Sequence, residues 1–447
     1  MEEAGYPSPI RAWYAVGLFF FAAIISYTDR QVLSLLVDPV RHDLTISDTQ
    51  ISLLMGTAFA MIYSVAGIPL GFLADRTSRR NLIAAGILIW SLATIGCGLV
   101  QGFGQLFCCR IFVGLGEAVL APAAVSLISD YFPPARRATA LAVFFTGVSI
   151  GIGSAILIGG GLLHAIKMGL MAATPLAGTA PWRLVFLLVG VPGLVWTALV
   201  FTVREPVRRQ SQADHSSGAD TTARDGAASG GGLVLQLAPV FVAVALASFV
   251  DNAVAAWSPS LLIREFHRQA ADVGVTLGTL FMIAGALGVL AGGVGADRAA
   301  RAGGWSAKIR ICLIAAILNI PCLALIRSSD AHLVMVAVAA DFVMSGVVTA
   351  AGLSAILDLV PNRRRGMATS ISFFLNVALG VGVAPTAVAL AEAHVFGARR
   401  GLGPPLFLVT EAAYVVIAGA LWLAFHHYRR RHAVARVERR SPAASAN

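Results

Sequence analysis

Long apolar runs separated by short polar turns dominate the chain. Twelve can be traced, near 12–37, 51–73, 82–100, 106–128, 138–163, 183–203, 233–262, 272–295, 309–326, 332–357, 367–391 and 405–426. Each is about as long as the roughly 17–25 residues an α-helix needs to cross the hydrocarbon core of a bilayer. Little chain is left for a soluble domain, so the fold class is an all-α membrane protein of twelve transmembrane helices. The residues before the first run, "MEEAGYPSPIR", are acidic, and no short apolar region with a small-residue cleavage site follows. The first run therefore reads as a retained span and not as a signal peptide.

Between the sixth and seventh runs lies "REPVRRQSQADHSSGADTTARDGAASGGG", residues 204–232, with almost no large apolar side chains. Such a segment buries too little surface to fold alone and is expected to be a flexible linker. It divides the chain into an N-terminal six-helix bundle (1–203), the cytoplasmic linker (204–232), a C-terminal six-helix bundle (233–428) and a basic tail (429–447). The two halves resemble each other. "GFLADRTSRR" (71–80) after the second run parallels "GVGADRAAR" (293–301) after the eighth, aligning Asp75 with Asp297 and Arg76 with Arg298. "SDYFPPARRATA" (129–140) likewise parallels "LDLVPNRRRGMA" (357–368), aligning Asp130 with Asp358. A repeat of six spans in one orientation is the plan of a two-bundle transporter, with substrate expected near the midplane where the repeats meet.

Composition sharpens this picture. The chain is 57% hydrophobic and only 13% charged, against about 25% charged in soluble domains. Its net charge of +10 would suggest nucleic acid in a soluble protein, but here placement explains it. Most Lys and Arg residues, among them Arg76, Arg79, Arg80, Arg136, Arg137, Arg363, Arg364, Arg365 and the tail "YRRRHAVARVERR", fall on one side of the predicted spans. That asymmetry is the positive-inside rule, so both termini are expected in the cytoplasm and no nucleic-acid partner is required. The five cysteines all fall within runs and show no C-x-x-C spacing; they read as packing residues. No metal is expected, since the nine histidines have no ligand-like spacing. No cofactor is expected either, and with no G-x-x-x-x-G-K-[ST] in the chain, ATP is not the expected energy source.

Candidate chemistry lies in the charges inside the spans. Asp29 and Arg30 sit side by side in the first run, and as neighbours on a helix they point about 100° apart, so each needs a partner elsewhere. The fourth run offers Arg110 and Glu117, two turns apart on one face, with Gly114 leaving room between them. An ionised side chain at mid-bilayer costs about 2.5–3.5 kcal/mol even on the mildest scale. Two acids and two bases make a cluster that is neutral when ionised and gains positive charge when an acid takes a proton, as coupling protons to an anionic substrate requires. The plainer alternative is an ion-pair cluster that only fixes packing. Asp29 and Glu117 are thus the proton-coupling candidates, and Arg30 and Arg110 the anion-binding ones. Tyr63, Asp251, Asn252 and Asn376, with Trp257 and Asn319, are further polar or amphipathic residues within spans that either bridge helices or touch substrate. Span five carries Gly147, Gly151, Ala155 and Gly159 at four-residue spacing, a pattern that lets helix backbones approach closely. The formal G-x-S-x-G around Ser149 lies in the same apolar helix, where the strand-turn-helix context of a hydrolase is missing.

"GFLADRTSRR", "RIFVGLGEA" (110–118) and the Gly-rich fifth span resemble the major facilitator superfamily over all twelve spans, implying the major facilitator fold. Together with "YTDR", "ISDTQISLLMGTAFAMIYSVAGIPLGFLADRTSRR" and "WSPSLLIREF", they are most similar to its Spinster-type transporters, which are associated with export of lysophospholipids and sphingosine phosphate in animals. The resemblance implies a cytoplasmic gate at Asp75, Arg76, Arg79 and Arg80, with Asp297 and Arg298 as a weaker second copy. It also implies a proton-coupled, alternating-access carrier, not an enzyme, acting as a monomer in the bilayer of a bacterial inner membrane. The expected substrate is an amphipathic anion such as a lysophospholipid or sphingolipid-like molecule. Small organic anions such as sugar acids are the alternative, because their transporters also resemble "YTDR" plus "RIFVGLGEA". Against them stand Gly67 where a glutamine is common, and a fifth span whose polar residues beyond its first turn are Thr146, Ser149 and Ser154. An intramembrane lipid-modifying enzyme and a channel are the more distant alternatives.

Overall fold

The computed structural model describes residues 6–207, 230–360, 365–397 and 401–440. Residues 208–229 of the expected linker, Arg363 and Arg364 lie outside these. Twelve helices among the described residues are long and apolar enough to cross a membrane, and they match the twelve runs read from the sequence within a few residues. Helix starts follow local chemistry. Pro9, Pro134 and Pro181 open α1 (Pro9–Leu35), α8 (Pro134–Lys167) and α9 (Pro181–Val200), where a missing N–H costs nothing and φ is already helical. Ser47 and Gln50 form a reciprocal capping box at the start of α3 (Asp48–Met55), and Ser78 caps α5 (Arg79–Cys97). The second span is α3 followed, after a break at Gly56, by α4 (Thr57–Arg76). The fourth is α6 (Phe103–Glu117) followed by α7 (Leu120–Tyr131).

The later spans are α10 (Gly230–Glu265), α11 (Ala270–Leu323), α12 (Ala331–Leu359), α13 (Arg365–Leu375), α14 (Gly382–Ala391) and α15 (Gly403–Arg440). Gly304, at φ 63° and ψ −146°, breaks α11 into the eighth and ninth spans. Only glycine takes such a backbone conformation freely. A π-helical stretch, Asn376–Val381, joins α13 to α14. Contacts group the chain into two compact units. One comprises Met1–Thr222, Ala255–Met282 and Val381–Leu402; the other comprises Ala223–Val254, Ile283–Gly380 and Gly403–Asn447.

Glycines set the distance between helices in the first unit. On α8, a Cβ added at Gly147 would lie 2.6 Å from the Phe20 carbonyl oxygen, and one at Gly151 would lie 2.6 Å from Tyr27 Cβ. One at Gly159 would lie 2.9 Å from Val32 Cγ2. The four-residue glycine stripe therefore faces α1, the helix that carries Asp29 and Arg30. On α6, Gly114 receives the Phe59 carbonyl and Ile62 of α4, while Gly116 and Gly86 of α5 face each other's carbonyl oxygens at 2.6–2.7 Å from the added Cβ positions. These close approaches hold the Arg110 and Glu117 side chains of α6 against α1, α4 and α5.

The stripe makes a directional prediction. Gly151→Ala places a methyl into Tyr27, and overpacking of this kind typically costs about 1–3 kcal/mol, so the purified protein should unfold at lower temperature. Gly161→Ala, on the same helix with nothing within 4 Å of the added carbon, should be neutral or slightly stabilising, because alanine is the better helix former. Equal melting temperatures for the two variants would contradict the packing role.

Candidate functional site

The charged residues of the first and fourth spans converge, but not as two matched pairs. Arg30 donates to Glu117 Oε2 from Nη2 at 2.5 Å and from Nε at 3.1 Å. Both side chains are buried, at 6% and 0% exposure. Aromatic rings enclose the Arg30 guanidinium, with centroids at 4.0 Å (Phe59), 4.4 Å (Tyr27) and 5.4 Å (Tyr63). Such faces attract a cation while presenting an apolar surface. Phe59 and Tyr63 also stack on each other, one turn apart on α4, with centroids 5.2 Å apart.

Arg110 closes an ion pair with neither Asp29 nor Glu117. It donates to backbone carbonyls: Nε to Leu54 at 3.1 Å, Nη1 to Asp29 at 3.2 Å and Nη2 to Arg30 at 3.1 Å. Leu54 lies in the last turn of α3, where carbonyls lose their helical partners, and the carbonyls of α1 each keep a second lone pair. Arg110 therefore ties three spans together through their backbones. The Asp29 side chain is fully buried, and no hydrogen bond closes on either of its oxygens. Trp90 and Thr94 of α5 face it, with Trp90 Nε1 and Thr94 Oγ1 themselves unpaired. Glu117 Oε1 is likewise buried without a hydrogen bond. Sequence reasoning missed Tyr27, Phe59, Trp90 and Thr94, because each reads as an ordinary core residue of an apolar helix.

In the second unit the polar residues make a separate set of contacts. Ser345 of α12 donates its hydroxyl to Asp251. Asn252 Nδ2 donates to the Ser248 carbonyl at 2.8 Å, and Asn376 Nδ2 to Ser248 Oγ at 2.6 Å. Asn376 is the first residue of the π-helical stretch, a local distortion that often accompanies functional positions.

At the expected cytoplasmic ends, Arg79 is buried and binds Asp130 Oδ2 at 2.5 Å, Ser126 Oγ at 2.9 Å and Glu205 Oε1 at 3.2 Å. Burial pushes the Glu205 carboxyl up, but hydrogen bonds from Ser78 and from the Arg79 backbone and side chain outweigh it and hold Glu205 below its usual range. Arg80 is half-buried, reaching Asn81 Oδ1 at 3.1 Å, whereas Arg76, Asp297 and Arg298 are exposed. Asp75 lies in the last turn of α4, and its side chain is outside the described set. In the second unit Lys308 repeats the chemistry of Arg79, binding Asp358 Oδ2 at 2.6 Å and Ser354 Oγ at 2.9 Å. At the opposite ends of the spans, Arg264 of α10 donates to Asp38 Oδ1 at 2.6 Å and to the two oxygens of Asp48 at 2.8 and 3.1 Å. Arg41 adds a further pair to Asp48 at 3.1 Å. This ion cluster lies at helix ends, with Asp38 and Arg41 in the short α2 (Val37–Leu44), Asp48 at the start of α3 and Arg264 in the last turn of α10, and it was not among the sequence candidates.

Comparison with known proteins agrees with this architecture. The sequence profile of the Major Facilitator Superfamily matches residues 19–385. An MFS-type efflux pump of Mycolicibacterium smegmatis is 32% identical over 437 residues, 96% of each chain. Protein spinster of Drosophila melanogaster is 30% identical over 285 residues, 62% of this chain and 44% of its own. A hexuronate transporter of Bacillus subtilis is 25% identical over 89% of this chain and 92% of its own. The crystal structure of a bacterial homolog to the human lysosomal transporter Spinster, in an inward-facing and occupied conformation, matches with a TM-score of 0.77, covering 95% of this chain and 98% of that one at 22% identity. With twelve apolar helices, a profile match across most of its length and a near-full-length relative, the chain is an integral membrane protein that belongs to the Major Facilitator Superfamily.

Proposed function

We propose that the chain is a proton-coupled secondary carrier, working by alternating access, of an amphipathic anion such as a lysophospholipid or sphingolipid-like molecule. The observation that carries the coupling is the unequal treatment of two buried acids. Glu117 is paired with Arg30, whereas Asp29 has no cation on its side chain. Protonation of Glu117 frees Arg30 from its counter-ion, and an anionic headgroup then takes that place. Asp29, facing Trp90 and Thr94, receives or passes the proton. Arg110 keeps α1, α3 and α6 in register while this exchange occurs.

Two features support the amphipathic class. The aromatic rings around Arg30 offer an apolar wall beside one positive charge, which suits a charged head with a hydrocarbon tail. Two hydroxyls of span five serve their own helix, with Thr146 Oγ1 donating to the Ala142 carbonyl at 2.9 Å and Ser154 Oγ to the Gly151 carbonyl at 3.1 Å. A polyhydroxylated substrate would find few partners there, and unpaired hydroxyls are costly. The near-full-length hexuronate relative favours the competing reading, a small sugar acid held by Arg30 alone. For the gates, Arg79 with Asp130 and Glu205 stabilises the cytoplasmic ends of the first bundle, and Arg264 with Asp38 and Asp48 forms the opposite latch.

Glu117→Gln and Asp29→Asn should each abolish uptake driven by a pH gradient in proteoliposomes while leaving exchange of labelled for unlabelled substrate measurable. Gradient-driven rates equal to wild type in both variants would refute the coupling. Arg30→Lys removes the planar cation from its aromatic cage, an interaction worth about 0.5–2 kcal/mol, so anion affinity should fall by roughly tenfold.

For substrate class, lysophospholipids should displace a bound fluorescent lysolipid whereas hexuronates should not. Displacement by hexuronates at comparable concentration would assign the protein to sugar acids instead.

Arg264→Ala should shift the population toward the state open at the Asp38 end. In a background lacking native cysteines, Ser52→Cys should then react faster with a membrane-impermeant thiol reagent, and an unchanged rate would exclude the latch.

A further inference from the structure

The second unit holds a buried polar centre that none of the proposed coupling steps uses. Asp341, on α12, is completely buried, and Asn319 of α11 donates to its Oδ1 at 2.9 Å. Asp341 Oδ2 is buried with no hydrogen bond, as are Asn319 Oδ1 and the Tyr414 hydroxyl of α15. Asn319 and Tyr414 are both 0% exposed, and the tyrosine hydroxyl faces both Asp341 and Asn319. From α10, Asp251 lies within range of the Asp341 charge. It is tied to the same helix by Ser345, which follows Asp341 by one turn and donates to Asp251 Oδ1. The ionisable groups that face Asp341 are therefore Asp251 from α10 and Tyr414 from α15, with the neutral Asn319 contributed by α11. No Lys, Arg or His among the described residues forms an ion pair with either aspartate.

Asp341 has lost its hydration and has no counter-ion, and the partly buried Asp251 adds a second negative charge within range, so ionising both is disfavoured. Tyr414 can supply one hydrogen bond, which leaves the amide oxygen of Asn319 as an acceptor with no donor. A proton on the aspartate pair answers the charge, and it supplies the donor that the centre lacks. Close packing keeps this arrangement in place: a Cβ at Gly288 of α11 would lie 2.6 Å from the Val343 carbonyl oxygen of α12, and one at Gly346 would lie 2.9 Å from Gly288 Cα.

We propose that Asp341 and Asp251 form a second proton-binding site, within the second unit, with Asn319 and Tyr414 as its hydrogen-bonding partners. This goes beyond the coupling proposed for Asp29 and Glu117 and stands whether or not that coupling is correct. It also gives Asp251 a role other than substrate contact: its Ser345 bond orients it toward the pair, so that proton binding on α12 is felt on α10.

The test reads the proton directly. Infrared difference spectra of the full-length protein in liposomes, recorded across a pH titration, should contain a protonated-carboxyl band that exchanges slowly with deuterium. That band should persist in the Asp29→Asn/Glu117→Gln double variant, disappear in Asp341→Asn, and shift in frequency in Tyr414→Phe, which removes one hydrogen bond without changing charge. If Asp341→Asn does not fold, Asp251→Asn should still shift the pH at which the band titrates. A band that is absent in wild type, or that survives unchanged in Asp341→Asn, would overturn the site. So would thermal stabilisation by sodium or lithium that competes with protons and is lost in Asp341→Asn, since the pair would then be a metal-cation site.

Discussion

A guanidinium and a carboxylate shut away from water at the centre of an apolar bundle, Arg30 and Glu117, impose the condition that the rest of the first unit satisfies. Removing one member of such a pair leaves the other charge uncompensated, at a cost of about 3–5 kcal/mol. The surrounding residues are therefore constrained as a set. Aromatic faces from α1 and α4 cover the cation, Arg110 fixes the backbones that carry it, and glycines on α6 and α8 let those backbones come close enough. Asp29 sits immediately beside this pair without sharing in it. One acid of the cluster is thus held in a direct ion pair, while the other closes neither an ion pair nor a hydrogen bond through its side chain.

The same economy appears at the span ends. Arg79, Ser126 and Asp130 in the first unit have their counterparts in Lys308, Ser354 and Asp358 in the second. The exchange of arginine for lysine matters physically. The planar guanidinium of Arg79 serves Asp130, Ser126 and Glu205 at once, while the ammonium of Lys308 is a point charge on a flexible stem. Asp130 is nearly buried and Asp358 is 42% exposed. The repeated motif is therefore the more enclosed of the two in the first unit, which also holds the Arg30–Glu117 pair.

Much of the fold was legible in the chain. Bilayer thickness fixes the length of an apolar helix, so the twelve spans could be counted and bounded from hydropathy alone. The stripe Gly147, Gly151 and Gly159 announced a close helix contact. The sequence also picked out Asp29, Arg30, Arg110 and Glu117, because a charge in lipid is too costly to be incidental.

The partners of those charges were not legible. Arg110 spends its donors on carbonyls, and every residue has a carbonyl, so no side-chain pattern marks the choice. Of the cage around Arg30 only Tyr63 stood out in the sequence; Tyr27 and Phe59, and Trp90 and Thr94 whose polar groups face Asp29, look like core along an apolar helix. Asp341 meets Asn319, Tyr414 and Asp251 only because three other helices pack against α12. Hydropathy and cost of burial act residue by residue, so the sequence by itself determined which segments cross the membrane and which charges require a reason. Pairing depends on the rotation and spacing of helices distant in the chain, so only the tertiary structure decided which of those charges are answered and which are left open.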